Sequence, residues 1–313
     1  MLTMLLAFGL ESAVCQNSNP RTSVEYADRG QVYYDRGDYD RAIADFTEAI
    51  RLLPNDVGDP QRLYNVRGLA YGNKRDWDRA IADFTQAIRL APNYSPSYTN
   101  RGLAYIAKND WDRAIADYTQ AIRLAPNIAG NYSSRGNAYI NKGDWDRAIA
   151  DLTEAIRLGQ SNAIVYYNRG IAYYVKSDHD LAIADFTQAI RLAPNNAVYY
   201  FYRGAVYRDK SDHDRAIADY TQAIRLDPNN ADYYNNRAAA YNEKRDYDRA
   251  IADATEAIRL SPNQANPYAH RANAYFQKGN FTQARADANK CLQINANQER
   301  AKNLDAELRR RGY

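Results

Sequence analysis

Along residues 95–128 the apolar positions fall into two helical stripes separated by a short polar break. In the first half, SPSYTNRGLAYIAKND, Tyr98, Gly102 and Tyr105 stand at i, i+4 and i+7, on one face of a helix. In the second half, WDRAIADYTQAIRLAPN, the residues Ala114, Ile115, Tyr118, Ala121, Ile122 and Leu124 form another apolar stripe. The polar KND between them reads as a turn. Asp110 is placed to cap the second helix, because its carboxylate accepts from free backbone N–H groups. Pro126 stops that helix. The pattern therefore predicts two antiparallel helices of about 14 residues each. Gly102 and Ala114 are small where the pair must approach closely.

The pattern recurs. DWDRAIADFTQAIRLAPN at 76–93 returns almost unchanged at 110–127. Pro92 to Pro126, Pro194 to Pro228 and Pro228 to Pro262 are each 34 residues. Pro126 to Pro194 is twice that, with Gln160 where the middle proline would stand. Pro54 to Pro92 is 38, so four extra residues sit in NDVGDPQR. With a worn last copy near 265–296, this makes eight copies over residues 23–297. One hairpin cannot bury its own stripe, so copies must stack into one array. After Asn297, the stretch QERAKNLDAELRRRGY has only a thin stripe, Ala301, Leu304 and Leu308, and reads as a C-terminal capping helix over 298–313.

The unit resembles the tetratricopeptide repeat. That pattern has a ring fourth, a small residue eighth, a ring eleventh, a small residue twentieth, a ring twenty-fourth, a small residue twenty-seventh and proline thirty-second. The third copy holds Tyr98, Gly102, Tyr105, Ala114, Tyr118, Ala121 and Pro126 there. The fifth holds Tyr166, Gly170, Tyr173, Ala182, Phe186, Ala189 and Pro194. The fourth departs, with Leu152 in place of the third ring. The resemblance, closest in kind to bacterial scaffold proteins, implies an all-α, right-handed α-solenoid whose first helices line a concave groove. It also implies binding of proteins or extended peptides.

Two coupled departures stand out. The seventh position, usually apolar, is always arginine: Arg29, Arg67, Arg101, Arg135, Arg169, Arg203, Arg237 and Arg271. The twenty-third is always aspartate: Asp45, Asp83, Asp117, Asp151, Asp185, Asp219, Asp253 and Asp287. Opposite charges introduced together eight times predict an Arg–Asp ladder between the two helices of each copy, against the alternative of solvated face charges. In copies seven and eight, the close-approach glycine becomes Ala238 and Ala272, while the third ring becomes Ala254 and Ala288. A lost ring and a gained methyl read as compensating volumes.

Charge adds little. With 41 basic and 38 acidic residues the net charge is +3, so no strong attraction to nucleic acid or anionic membrane is implied. Cys15 and Cys291, the only two cysteines, build neither a disulfide framework nor a metal cluster. Residues 1–22 form a leader whose apolar run of roughly ten residues is too short to span a bilayer, which takes about 20, so no integral membrane segment is expected. Its length and Ala13-Val14-Cys15 suit a signal peptide; the lack of a basic residue before the core and the nearby Glu11 argue against one. Ser12 weakens a lipoprotein reading, since such signals usually place Leu there. The expectation is export to the periplasm or beyond if the leader is cleaved, and a cytoplasmic protein otherwise.

The chemistry-bearing residues point away from catalysis. The Asp-x-Asp pairs, such as Asp76 and Asp78, run straight into a helix and read as caps rather than calcium ligands. His179 and His213 replace aromatic residues at one register position, and no metal or other cofactor is expected; His270 stands alone near the groove. The recurring threonine of ADFTQAI is no nucleophile, because a catalytic residue has no reason to recur seven times. The groove is expected where first-helix side chains vary between copies. The candidates are Thr99, Asn100, Leu103 and Ile106; Tyr167, Asn168, Ile171 and Tyr174; Phe201, Tyr202, Ala205 and Arg208; and Asn235, Asn236 and Asn242. Aromatic residues are frequent interface anchors, and amides pair with the backbone of an extended peptide. The opposing reading is that the tyrosines pack sideways on the next copy. The function expected is a non-catalytic scaffold for a protein or peptide partner. The alternatives are an RNA-binding solenoid, stacking bases on its aromatics, and a subunit that positions an enzyme. A basic clamp for a peptide C-terminus is not evident.

Overall fold

The computed structural model describes residues 20–53 and 59–313. Residues 1–19 of the leader, Cys15 among them, and Pro54 lie outside the described residues, while Thr22 caps α1. The described residues form helices and no strands. They divide into two compact units, the first ending at Gln160 and the second starting at Ser161. The division falls where the repeat's closing proline is replaced by Gln160.

The first unit contains α1 (Ser23–Asp35), α2 (Tyr39–Leu52), α3 (Pro60–Asn73), α4 (Trp77–Leu90), α5 (Ser95–Ala107), α6 (Trp111–Leu124), α7 (Ala129–Lys142) and α8 (Trp145–Arg157). The second contains α9 (Ala163–Val175), α10 (His179–Leu192), α11 (Ala197–Asp209), α12 (His213–Leu226), α13 (Ala231–Glu243), α14 (Tyr247–Leu260), α15 (Ala265–Gln277), α16 (Phe281–Ile294) and α17 (Glu299–Arg310). Within each unit every odd-numbered helix packs on the even-numbered helix after it, and each pair stacks on the next. First helices of successive copies also lie against one another, as α3–α5 and α13–α15 do. Each unit is thus an all-α solenoid, and α17 closes the second by packing on α15 and α16.

Local chemistry sets the hairpins. Asp38, Asp76, Asp110, Asp144, Asp212 and Asp246 each cap a second helix by accepting from the backbone N–H three residues on. The residue before each cap is left-handed in all eight copies. Gly37, Gly143 and Gly279 take that conformation freely, whereas Arg75, Asn109, Ser177, Ser211 and Arg245 hold it at φ of 58–64°.

The two helices of a copy meet at the glycine. A Cβ built on Gly68 would lie 2.6 Å from Phe84, and one on Gly102 would lie 3.1 Å from Tyr118. Hence the methyl of Ala238 or Ala272 is tolerated only where the opposing ring has shrunk to Ala254 or Ala288, all four fully buried. Leu152 fills the ring's place in the fourth copy and is itself fully buried.

The ladder is present in every copy. Arg101 donates through Nε and Nη2 to both carboxylate oxygens of Asp117, each at 2.8 Å. Arg29–Asp45, Arg67–Asp83, Arg135–Asp151, Arg169–Asp185, Arg203–Asp219, Arg237–Asp253 and Arg271–Asp287 repeat this fork. All eight aspartates are buried, so the solvated-face alternative is excluded. Tyrosines on either side cover the guanidinium: Arg101 lies 5.9 Å from the Tyr98 ring centroid and 6.0 Å from that of Tyr105.

In six copies a further bond reaches the copy before. Arg101 Nη1 donates to Thr85 Oγ1 of the preceding copy at 3.0 Å. Arg67–Thr47, Arg135–Thr119, Arg203–Thr187, Arg237–Thr221 and Arg271–Thr255 do the same. The recurring threonine is therefore the acceptor of the next copy's ladder arginine. In the eighth copy Asn289 takes its place. One period beyond Arg271 stands Asp305, whose carboxylate pairs with Arg309 at 2.9 Å. On the outer edge Lys74–Asp40, Lys108–Asp78, Lys142–Asp112, Lys210–Asp180, Lys244–Asp214 and Lys278–Asp248 join neighbouring copies by exposed ion pairs, each worth under about 1 kcal/mol.

Candidate protein-docking site

The first-helix residues expected to form a groove have different fates in the two units. In the first, Thr99 Oγ1 donates to Asn131 Oδ1 at 2.8 Å, and Asn100 Nδ2 donates to Asn65 Oδ1 at 3.0 Å. Ser97 adds a bond to Asn65 Oδ1, and Ser133 bonds Gln160 Oε1 at 3.0 Å. The bonds of Asn65, Ser97, Thr99 and Asn100 form a seam between copies, that of Ser133 lies within its own copy, and the buried Nδ2 of Asn131 has no partner. Leu103 stays 54% exposed, and Ile106 is half-buried against Tyr105.

In the second unit the aromatic candidates also pack sideways. Tyr167 lies 5.2 Å from Tyr199 and 5.5 Å from Tyr202, centroid to centroid, and Phe201 lies 5.2 Å from Tyr233. Ile171 joins the same core, and Tyr174 donates to Asp209 Oδ2 at 2.7 Å. Tyr167, Tyr174, Phe201 and Tyr202 remain half-buried, as does Asn168. Burial pushes the Tyr167 hydroxyl well above its ordinary value. Two candidates need correcting as groove-facing groups. Ala205 is a buried residue of α11, and Asn242 is buried with both amide atoms engaged, donating to His270 O and accepting from Asn273. Asn242 sits on the side of α13 that the next copy covers.

Arg208, Asn235 and Asn236 converge on a polar hollow of about 900 Å³ within the second unit. One stripe of α13 forms its floor: Asp232, Asn235, Asn236, Ala239 and Glu243, at i, i+3, i+4, i+7 and i+11. Arg208 Nη1 donates to Asn236 Oδ1 at 2.8 Å. Asn235 is buried, and its Oδ1 has no partner. The far wall holds Asn266 and His270 of α15 with Gln298 and Arg300 at α17. His270 Nδ1 lies 2.9 Å from Arg300 Nη1. Burial first, then the guanidiniums of Arg300 and Arg208, pushes the His270 imidazole down to about 3, so it is neutral and accepts from Arg300. His213 Nδ1 stands 3.2 Å from Glu243 Oε2 at the rim.

Sequence reasoning missed Asp232, Asn266, Arg300, His213, Glu243 and Gln298. The signal was present for the first three. Each is the second residue of its unit, three and four residues before the fifth and sixth positions that were chosen, and so on the same helical face. Among the described residues no group of three or more His, Cys, Asp or Glu side chains forms a metal site.

Profiles of the tetratricopeptide repeat match residues 23–56, 62–94, 95–128, 134–197, 231–264 and 265–298, and a further repeat profile matches 204–244. The chain belongs to the tetratricopeptide repeat family. Such repeats form scaffolds for protein–protein interaction. No curated protein matches the sequence. Among solved structures, a chain of the APC/C hetero-tetramer Cut9–Hcn1 is similar over 91% of this chain and 55% of its own, with TM-score 0.57 and 19% identity. The present chain thus spans about half the length of that relative. YrrB, described as a tetratricopeptide repeat protein with an unusual peptide-binding site, is similar over 63% of this chain and 97% of its own, with TM-score 0.54 and 24% identity. MamA is similar over 51% and 94%, with TM-score 0.50 and 28% identity. No described helix is long and apolar enough to cross a membrane.

Proposed function

We propose that this repeat protein is a non-catalytic scaffold whose second unit docks an extended segment of a partner protein on the first-helix face around α13. The observation that carries the reading is the hollow itself: a helix stripe of amides and carboxylates left open between copies, whereas in the first unit Thr99 and Asn100 bond the neighbouring copies. Asn235 brings an unsatisfied buried acceptor to it, and a peptide N–H is the complementary donor. The half-buried rings of α9 and α11 continue the surface and offer anchors at its flank. The alternative of RNA binding is disfavoured because the ladder arginines are committed to buried aspartates.

A photo-crosslinking residue at Asn266, on the hollow's rim, is expected to trap the partner in native extract, whereas the same residue at Arg225, exposed on α12, is expected to trap little. Equal trapping from both faces, or trapping at Arg225 alone, overturns the assignment. We further propose export directed by the leader. Determination of the mature N-terminus tests this, and a chain still beginning at Met1 rejects it.

A further inference from the structure

Six arginines in the first turn of the second helices define a site by occupying it. Arg113 pairs with the capping Asp110 and lies over the Tyr105 ring, 4.6 Å from its centroid. Arg41, Arg79, Arg147, Arg215 and Arg249 repeat the arrangement, each paired with its own capping aspartate and 4.7–5.5 Å from a tyrosine ring. The eighth copy changes both members of the ion pair together, to Asn280 and Gln283. The fifth changes only one. It keeps the carboxylate of Asp178 and the ring of Tyr173, and has Leu181 where the arginine would stand. Asp178 is exposed, whereas its six counterparts are half-buried. It makes no side-chain cap bond, and no described residue is paired with its carboxylate. The lysine two residues before the aspartate does not substitute for the arginine: Lys108 and Lys210 hold that place and bond an aspartate of the copy before. Leu181 is 51% exposed. Tyr173 keeps one guanidinium, the ladder's Arg169 at 5.8 Å, whereas Tyr105 has two within 6.0 Å.

We propose that Asp178, Tyr173 and Leu181 form a docking subsite for an arginine side chain of a partner protein. The molecule's own arginines identify the group that fits: a carboxylate and a ring at this spacing hold a guanidinium, which bonds the one and stacks on the other. Leucine at residue 181 removes the internal competitor. It also leaves an apolar surface along which the methylene stem of an incoming arginine can lie. The charge is complementary, since the Asp178 carboxylate has no cation paired with it. None of the three residues lines the hollow, so the subsite is separate from the docking face around α13 and goes beyond that reading.

The full-length chain, with its tyrosine rings labelled for NMR, is titrated with N-acetyl-arginine methylamide and, separately, with the corresponding lysine and citrulline amides. The arginine amide is expected to move the Tyr173 ring signals along a saturating curve with a midpoint on the order of 10 mM, because one exposed ion pair and one ring contact are each weak. The rings of Tyr105 and Tyr207, already covered by Arg113 and Arg215, should not respond. The lysine amide should bind at least about threefold more weakly, and the uncharged citrulline amide should not saturate. Leu181→Arg should abolish the Tyr173 response, because the chain then supplies its own guanidinium; it is expected to fold, since arginine holds that place in six copies. Asp178→Asn should weaken binding about threefold, and it too is expected to fold, since that carboxylate makes no cap bond. No saturation at Tyr173 by about 100 mM arginine amide, equal binding of the lysine and arginine amides, or a response that survives Leu181→Arg overturns the inference. The two docking surfaces fail separately: a silent Tyr173 leaves the Asn266 crosslink standing, and an Asn266 that traps nothing leaves the Tyr173 response standing.

Discussion

The two units run the same ladder through different seams. In the first, successive first helices are tied by Asn65, Ser97, Thr99, Asn100 and Asn131, small polar groups bonded across copies. In the second, the same helix face carries Val165, Tyr167, Tyr199, Phe201 and Tyr233, a run of rings and one branched aliphatic. Hydrogen bonds fix register by direction, at modest net gain per bond. Rings bury more area with looser directional demands. The scaffold therefore separates two jobs: the ladder specifies the hairpin, and the seam is free to change character along the array.

The largest expected effects test that separation. Arg101→Leu in the first unit and Arg203→Leu in the second each leave a buried aspartate unpaired and are expected to cost about 3–5 kcal/mol in denaturant unfolding. Similar losses in the two units support a seam-independent ladder; a harmless Arg203→Leu would show that the rings carry that unit alone. Replacing both Arg203 and Asp219 by leucine should recover most of the loss. Next, Phe201→Ala is expected to cost about 3–5 kcal/mol, against about 1–3 kcal/mol for Asn65→Ala, which orphans the groups of Ser97 and Asn100. Native-state hydrogen exchange reads each loss locally, and the reverse order would invert the account of the seams.

Gly68→Ala should cost about 1–3 kcal/mol by driving a methyl into Phe84, with the loss reduced in the Gly68→Ala, Phe84→Ala pair as it is natively at Ala238 and Ala254. Acid separates the units again. All three histidines lie in the second, and His270 titrates near 3 when folded but near 6.5 when unfolded. Between those values the unfolded chain binds the extra proton, so stability falls as pH drops below about 6.5. Amides of the second unit should lose protection between pH 7 and pH 5 to a degree that His270→Gln reduces, while those of the first change less. Smallest is Arg75→Gly, expected to stabilise by up to about 1 kcal/mol through relief of its left-handed backbone, measured as a raised denaturation midpoint.

The fold was legible because the same instruction is written eight times: the caps and the arginine facing the aspartate recur together in every copy, and the glycine and its facing ring change together in the last two. The candidate site was less so. Variation between copies marks positions that packing does not dictate, and Arg208, Asn235 and Asn236 were found that way. The same criterion cannot tell a side chain open to solvent from one spent on the adjoining copy. Thr99, Asn100 and Asn242 vary and yet are bonded across a seam. Arg300 is harder to read because the tail carries a single helix whose thin apolar stripe indicates a cover alone.

The arginine's reach to the threonine behind it gives the array a polarity and a terminus. Any internal hairpin carries both halves of that handshake, so duplicating residues 95–128 inserts a module that its neighbours already recognise. At the far end Asn289 and Asp305 replace the two halves, and a module spliced there would meet neither. Lengthening the array is thus an internal edit, made where both halves of the contact recur.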